Sequence, residues 1–244
     1  MFFNIPMQVK KVLLCEGNWY FWNKGDFHSN FGILMEKDIL KGGLIKSNLS
    51  KEFKVFDANF FDKMQKIKRL PQAIMEKDIA SILIYADINK KSVVLEAGTG
   101  SGKLCSYLAR YAKKVFSFEI NEQFMEVAKE NFKDLNLKNI EIKKGNIYEK
   151  IDLKEKVDAV CLDLPEPWKA LKNVENNLKP GGIFVSYLPT ILQVIQLFKE
   201  SHDFPLQFIK CIENSERSWI VEEQRVRPEN KTQFTAFLVF FRRY

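Results

Sequence analysis

Val93-Val94-Leu95-Glu96-Ala97-Gly98-Thr99-Gly100-Ser101-Gly102 is the stretch on which the fold of this 244-residue chain turns. Its apolar start reads as a buried strand. The residues that follow, Leu104, Leu108, Ala109 and Ala112, have the spacing of one helix face. A strand that passes into a helix through alternating glycines leaves backbone N–H groups open at the helix start, where a ligand can approach closely. Two phosphate-binding loops are excluded. The fingerprint G-x-G-x-x-G needs glycine where Lys103 stands, and the loop G-x-x-x-x-G-K-[ST] needs glycine at Ala97 and a hydroxyl at Leu104. The early acid, Glu96, also argues against a phosphate.

Outward from this stretch the chain alternates strand and helix. Strands are predicted at 93–97, 115–119, 140–144, 157–162 and 183–187, and helices at 101–112, 121–136, 168–178 and 190–201. Two longer strands, 206–212 and 234–242, come last. The alternation predicts an α/β fold, a mostly parallel sheet with helices on both faces. Upstream, 12–14, 19–21, 32–34, 44–45 and 53–56 read as short strands separated by turns, which suggests a small barrel or curled sheet over 1–57. Residues 58–90 read as two leading helices of the second domain, 58–244. The first carries Phe60, Phe61, Met64 and Ile67 on one face, and the second starts at Pro71.

The formal charge is +7, and residues 1–70 hold 12 Lys+Arg against 7 Asp+Glu, a net of +5. The basic excess therefore lies mainly in the N-terminal module, where it is compatible with nucleic acid. Cys15, Cys105, Cys161 and Cys211 form no C-x-x-C pair, so no zinc or other metal site is expected. Pro6, Gln8 and Lys10-Lys11 interrupt any apolar leader, and no apolar run is long enough for a bilayer. A cytoplasmic enzyme, with no membrane association, is the expectation.

The motif E-x-G-x-G-x-G resembles the first motif of the Rossmann-like S-adenosylmethionine-dependent methyltransferases. That cofactor has a carboxylate and a sulfonium cation and no phosphate, and Glu96 suits its cationic part. In such sheets ligands bind beyond the carboxyl ends of the strands. There the sequence places Glu96 with Gly98, Thr99, Gly100, Ser101 and Gly102, then Glu119, suited to ribose hydroxyls. Asn146 and Ile147 follow, suited to an adenine edge, and then Asp163. Pro165 and Pro167 stiffen the loop after Asp163, as a catalytic or recognition group requires.

A closer resemblance rests on several segments. They are Phe27-His28-Ser29-Asn30-Phe31-Gly32-Ile33, Lys68-Arg69-Leu70-Pro71-Gln72 with Lys77-Asp78, and Leu162-Asp163-Leu164-Pro165-Glu166-Pro167-Trp168. Leu178-Lys179-Pro180-Gly181-Gly182, Arg217-Ser218-Trp219 and Arg227-Pro228 complete them. Together with the glycine loop they resemble the tRNA (adenine-N1)-methyltransferases of the T-loop, in their archaeal and bacterial homo-oligomeric form, over essentially the whole length. The resemblance implies a seven-stranded class I methyltransferase sheet with a C-terminal antiparallel hairpin, preceded by a small N-terminal β domain. It implies S-adenosylmethionine as cofactor, tRNA as partner, a homotetramer, and methylation at position 58 or also 57. It implies Asp163 as catalytic residue. Gln72, Ile74, Glu96, the glycine loop, Glu119, Asn146, Ile147 and Asp163 would be cofactor contacts, and Met75, Pro165, Trp168 and Tyr187 the substrate pocket. The chain departs from the family pattern at Met75-Glu76, where Tyr-Pro is usual, at Asn146, usually aspartate, and at Phe234, usually histidine. Two other readings stay open at this point: a class I methyltransferase of another substrate, and a non-catalytic tRNA-binding subunit.

Overall fold

The computed structural model describes residues 8–70, 73–229 and 234–244. Their contacts divide the chain into a first unit reaching Arg69 and a second from Leu70 on, with 133–136 grouped to the first.

In the first unit, strands β1 (Lys11–Cys15), β2 (Asn18–Trp22), β3 (Phe27–Ser29) and β4 (Gly32–Leu34) are followed by helix α1 (Glu36–Lys41). Strands β5 (Gly43–Lys46) and β6 (Glu52–Asp57) and helix α2 (Phe60–Met64) complete it. The sheet order is β2-β1-β6-β5, with β3 and β4 forming a separate ribbon. Alternation sets the buried face: in β6, Phe53 and Val55 are buried while Glu52 and Lys54 are exposed. They pack with Leu13, Trp22, Leu34 and Ile39. Of the barrel or curled sheet expected here, an open antiparallel sheet forms: among the described residues β2 and β5 are edges that do not pair with each other. Helix α1 was not anticipated. It is one and a half turns long, too short for a periodic signal, and is held by Asp26, which accepts from the Glu36 N–H at 2.8 Å. The helix expected over 58–70 is only five residues. Asn59 and Asp62 form a capping box at its start, and a tight Lys66 N–H to Lys63 carbonyl bond ends it.

The second unit begins with helix α3 (Glu76–Tyr85), then β7 (Val93–Ala97), α4 (Lys103–Tyr111), β8 (Lys114–Glu119), α5 (Glu122–Asp134) and β9 (Ile140–Lys144). Next come β10 (Val157–Leu162), α6 (Leu171–Asn177), β11 (Leu178–Leu188), α7 (Ile191–Glu200) and β12 (Leu206–Glu213). The hairpin β13 (Trp219–Glu222) and β14 (Arg225–Pro228) precedes the last strand, β15 (Phe237–Arg243). Seven strands form one sheet in the order β12-β15-β11-β10-β7-β8-β9. β7 to β11 pair in parallel, and β15 is antiparallel to both its neighbours. This is the sheet that the sequence led us to expect. Both faces are covered, so the central strands alternate between two apolar layers. Leu95 and Ala97 pack on one side with Val160 and Leu162, while Val94 packs on the other with Ala159 and Cys161.

The helix expected from Pro71 begins at Glu76. Pro71 lies outside the described residues, and Ile74 is buried in the segment before Met75, which is in extended conformation at the N-cap. The segment 168–178 is a 3₁₀ turn, Pro167–Ala170, leading into α6. Strand β11 is longer than expected because the chain already pairs at Leu178; a register shift then absorbs Lys179 to Gly182 before Ile183 rejoins. Cys105 and Cys161 are buried free thiols. Among the described residues no helix is long and apolar enough to cross a membrane.

Candidate cofactor cleft at the strand ends

β7 ends in a turn that only glycines can make. Gly98, Gly100 and Gly102 all have positive φ, at +90°, +53° and +77°. At Gly98 a Cβ would run into the backbone carbonyl of Asp163, and at Gly102 it would lie 2.5 Å from the Phe132 ring. The loop is thus pressed against the end of β10 on one side and α5 on the other. Gly100 is different: a Cβ there would meet only the Gly98 carbonyl, at 4.0 Å. The loop closes through a Gly102 N–H to Thr99 carbonyl bond of 2.7 Å, and Gly98 N–H donates to the Phe118 carbonyl.

Over this turn lies a small cleft of about 160 Å³. Ala73 and Ile74 form one wall, the glycine loop with Lys103 and Leu104 the other, and Asp163 a third.

Three carboxylates converge here. Glu96 is fully buried. Its Oε2 accepts from Ser117 at 2.5 Å and, more weakly, from Thr99 at 3.4 Å, whereas its Oε1 has no hydrogen-bond partner. Burial pushes its pKa up to about 8, opposed by the Ser117 hydrogen bond and reinforced by the charges of Asp163 and Glu119. Glu119 closes β8: its Oε2 accepts from the Gly100 N–H at 2.8 Å and its Oε1 from the Asn121 N–H at 2.9 Å. Asp163 is tied to β7 by its N–H, which donates to the Ala97 carbonyl. Burial, and then the charge of Glu119, push its pKa up to about 7.

The raised Glu96 pKa has a stability consequence with a definite sign. Because it lies above that of an unfolded glutamate, the native chain holds more protons between about pH 4.5 and about 8. This contribution is fully present below that window and is lost as pH rises through it. Glu96→Gln is expected to flatten this part of the dependence of the unfolding midpoint on pH. An unchanged slope in the variant would show that Glu96 does not titrate in this window.

Of the residues singled out from sequence, the cleft gathers Ile74, Gly98, Thr99, Gly100, Ser101 and Asp163, with Glu96 and Glu119 bonded to it. Gln72 lies outside the described residues. Asn146 and Ile147 do not line it. The Asn146 amide turns into its own loop, accepting from the Tyr148 N–H and donating to Glu149, while Ile147 is buried in the core. Met75 is 46% exposed, Pro165 is exposed with its carbonyl accepting from Gln193, and Trp168 packs partly on the core.

Tyr187 belongs to a network not foreseen as a unit. Asp78 is fully buried. It accepts from Thr235 at 2.6 Å and from the Asn214 amide at 2.9 Å, and pairs with Lys77. Lys77 also donates to the Asn214 carbonyl and to Thr235. The Tyr187 hydroxyl shares a hydrogen bond with Thr235. Its pKa is pushed up to about 12 by burial, then by the charge of Asp78. Lys103 and Ala73 were also missed as site residues, although Lys103 had been read for the dinucleotide loop that it rules out.

A family model described as the tRNA methyltransferase complex GCD14 subunit matches residues 64–236, well over half of the chain. The chain belongs to this family of tRNA methyltransferases. It is 32% identical to the tRNA (adenine(57)-N(1)/adenine(58)-N(1))-methyltransferase TrmI of Methanocaldococcus jannaschii, over 92% of this chain and 91% of that one. It is equally 32% identical to the tRNA (adenine(58)-N(1))-methyltransferase TrmI of Thermus thermophilus, over 90% and 89%. Among solved structures, the tRNA (m1A58) methyltransferase TrmI of Aquifex aeolicus matches with a TM-score of 0.81 at 27% identity, covering 98% of each chain. A SAM-dependent O-methyltransferase of Thermotoga maritima matches with a TM-score of 0.84 at 26% identity, over 99% of this chain and 95% of that one. These likenesses place the fold in the class I methyltransferases.

Proposed function

We propose that this enzyme transfers the methyl group of S-adenosylmethionine to N1 of an adenine in the T-loop of tRNA, at position 58 or also at 57. The observation that carries the reading is the contact between Gly98 and the Asp163 backbone. It makes the cofactor loop and the carboxylate expected to face the base one rigid piece.

The residues present suit the cofactor. The Glu96 Oε1 is buried without a hydrogen-bond partner, and a bound cationic group would satisfy it and favour the ionised carboxylate. The Glu119 oxygens, each with one backbone bond, keep capacity for ribose hydroxyls. Bound S-adenosylmethionine supplies a methyl group already activated by its sulfonium. Adenine N1 offers an in-plane lone pair, so no proton has to leave before attack. The protein's task is to align the base and to keep water out, mainly an effect of proximity and orientation. As the ring gains positive charge, Asp163 accepts a hydrogen bond from the exocyclic amine and stabilises that charge. N1 lies on the pairing edge, so the base is taken out of its stack into the pocket. The net +5 of residues 1–70 suits contact with phosphates.

Asp163 acts here as a carboxylate. With its pKa near 7 in the free enzyme, kcat/KM for methyl transfer is expected to rise from about pH 6 to about 8 and then level. Asp163→Asn removes that limb. A wild-type kcat/KM that is flat across this range would contradict the assigned role.

Nucleoside mass spectrometry of tRNA incubated with the enzyme and S-adenosylmethionine, with the modified position mapped, tests the function. Absence of N1-methyladenosine would sink it. The Thermotoga neighbour's description as an O-methyltransferase keeps an oxygen acceptor as the second reading. Labelled cofactor offered with bulk tRNA or with small-molecule extracts separates the two. On the primary reading the enzyme is a cytoplasmic homotetramer, and light scattering on the purified protein tests the assembly.

A further inference from the structure

Lys103 is the residue that excluded a dinucleotide loop, yet the proposed chemistry gives it no part. In the fold it opens α4 and lines the cleft beside the glycine loop and Asp163. Its side chain is 5% exposed, an unusual degree of burial for lysine. Its ammonium lies 2.9 Å from the carboxylate of Glu76, which is 32% exposed, in the first turn of α3. An ammonium has three N–H donors, and one contact with Glu76 leaves two for a ligand. The acidic groups at the cleft are Glu96, Glu119 and Asp163. None of them suits the cofactor's carboxylate.

We propose that Lys103 receives the carboxylate of the cofactor's amino-acid end, with Glu76 holding its ammonium at the cleft wall. The assignment rests on the S-adenosylmethionine reading above. It also gives Glu76, one of the chain's departures from the family pattern, a defined task. Glu76 neutralises and orients a buried cation while no ligand is bound, since an unpaired buried ammonium is costly. When the carboxylate arrives, Lys103 bridges two acids.

The test is binding by calorimetry of two probes, S-adenosylmethionine and its decarboxylated form, which differ only in the carboxylate. The wild type is expected to prefer S-adenosylmethionine by about ten- to a hundred-fold, the range of a hydrogen-bonded charge pair. Lys103→Met is expected to lose most of that preference while binding the decarboxylated form nearly as well as before. A strut without a ligand role predicts otherwise: both affinities fall together and the ratio survives, which overturns the proposal. The exchanged pair Glu76→Lys with Lys103→Glu keeps an ion pair across the wall and covers the case of a single variant that does not fold. It too is expected to lose the preference, and a wild-type ratio in it overturns the assignment. Equal binding of both probes by the wild type overturns only the role of Lys103, whereas binding of neither overturns the cofactor reading with it.

Discussion

Asp163→Ala is expected to slow methyl transfer to tRNA by at least about a hundred-fold, the loss typical when one preorganised charge-stabilising group is removed. Cofactor binding should change little. The part of Asp163 that supports the glycine loop is its backbone: the carbonyl packs on Gly98 and the N–H bonds to Ala97. Alanine keeps both. Loss of the carboxylate also removes one of the charges that push Glu96 upward, so the variant should titrate Glu96 at lower pH. Initial rates at saturating tRNA, set beside calorimetric binding of S-adenosylmethionine, measure the split between chemistry and binding. Near-normal rates in the variant would remove Asp163 from the mechanism.

The second large effect is steric. Gly98→Ala forces an L side chain into φ +90° and drives its Cβ into the Asp163 carbonyl. Backbone strain of this kind costs about 1–3 kcal/mol, and the clash adds to it because no flexible side chain is there to yield. Either the loop or the end of β10 has to move. We expect cofactor affinity to fall by more than about a hundred-fold and the unfolding midpoint to drop by several degrees, following the usual relation of stability to Tm. Gly100→Ala is the informative partner. It meets no protein atom closer than 4.0 Å, so its cost to the fold is the smaller one of placing alanine at φ +53°. Its methyl nevertheless projects into space beside the cleft. A fall in affinity with a modest change in stability at Gly100, and a fall in both at Gly98, would establish that the first glycine serves the scaffold as well as the ligand. Equal stability losses at the two positions would contradict the contact with Asp163.

The sheet was legible because its central strands are nearly continuous apolar runs ending in acids. Val93 to Ala97 and Val157 to Leu162 fall where the sequence put them. The hairpin of β13 and β14 was not legible. Its two-residue connection is Glu223-Gln224, without the glycine or asparagine that marks such turns, and its strands are short and mostly exposed. The loop acids and Asp163 could be placed because each sits at a strand end of recognisable spacing. The partner of Lys103 could not, since nothing local relates a helix start to Glu76 on another helix. The same holds for Asp78, whose bonds reach 136 and 157 residues along the chain. The inward turn of Asn146 is a local Asx bond that competes with the adenine role read from its position alone.

The Asp78 network has a consequence for how such a chain can vary. Asn214, just beyond β12, and Thr235, just before β15, bond to the same buried carboxylate. The entrance and exit of the segment 215–234 are therefore stapled together at one point beneath the sheet edge. Once its ends are held, a loop can lengthen or shorten at small entropic cost, because closure depends only weakly on length. The staple keeps β12 and β15 in register independently of the length of the loop between them.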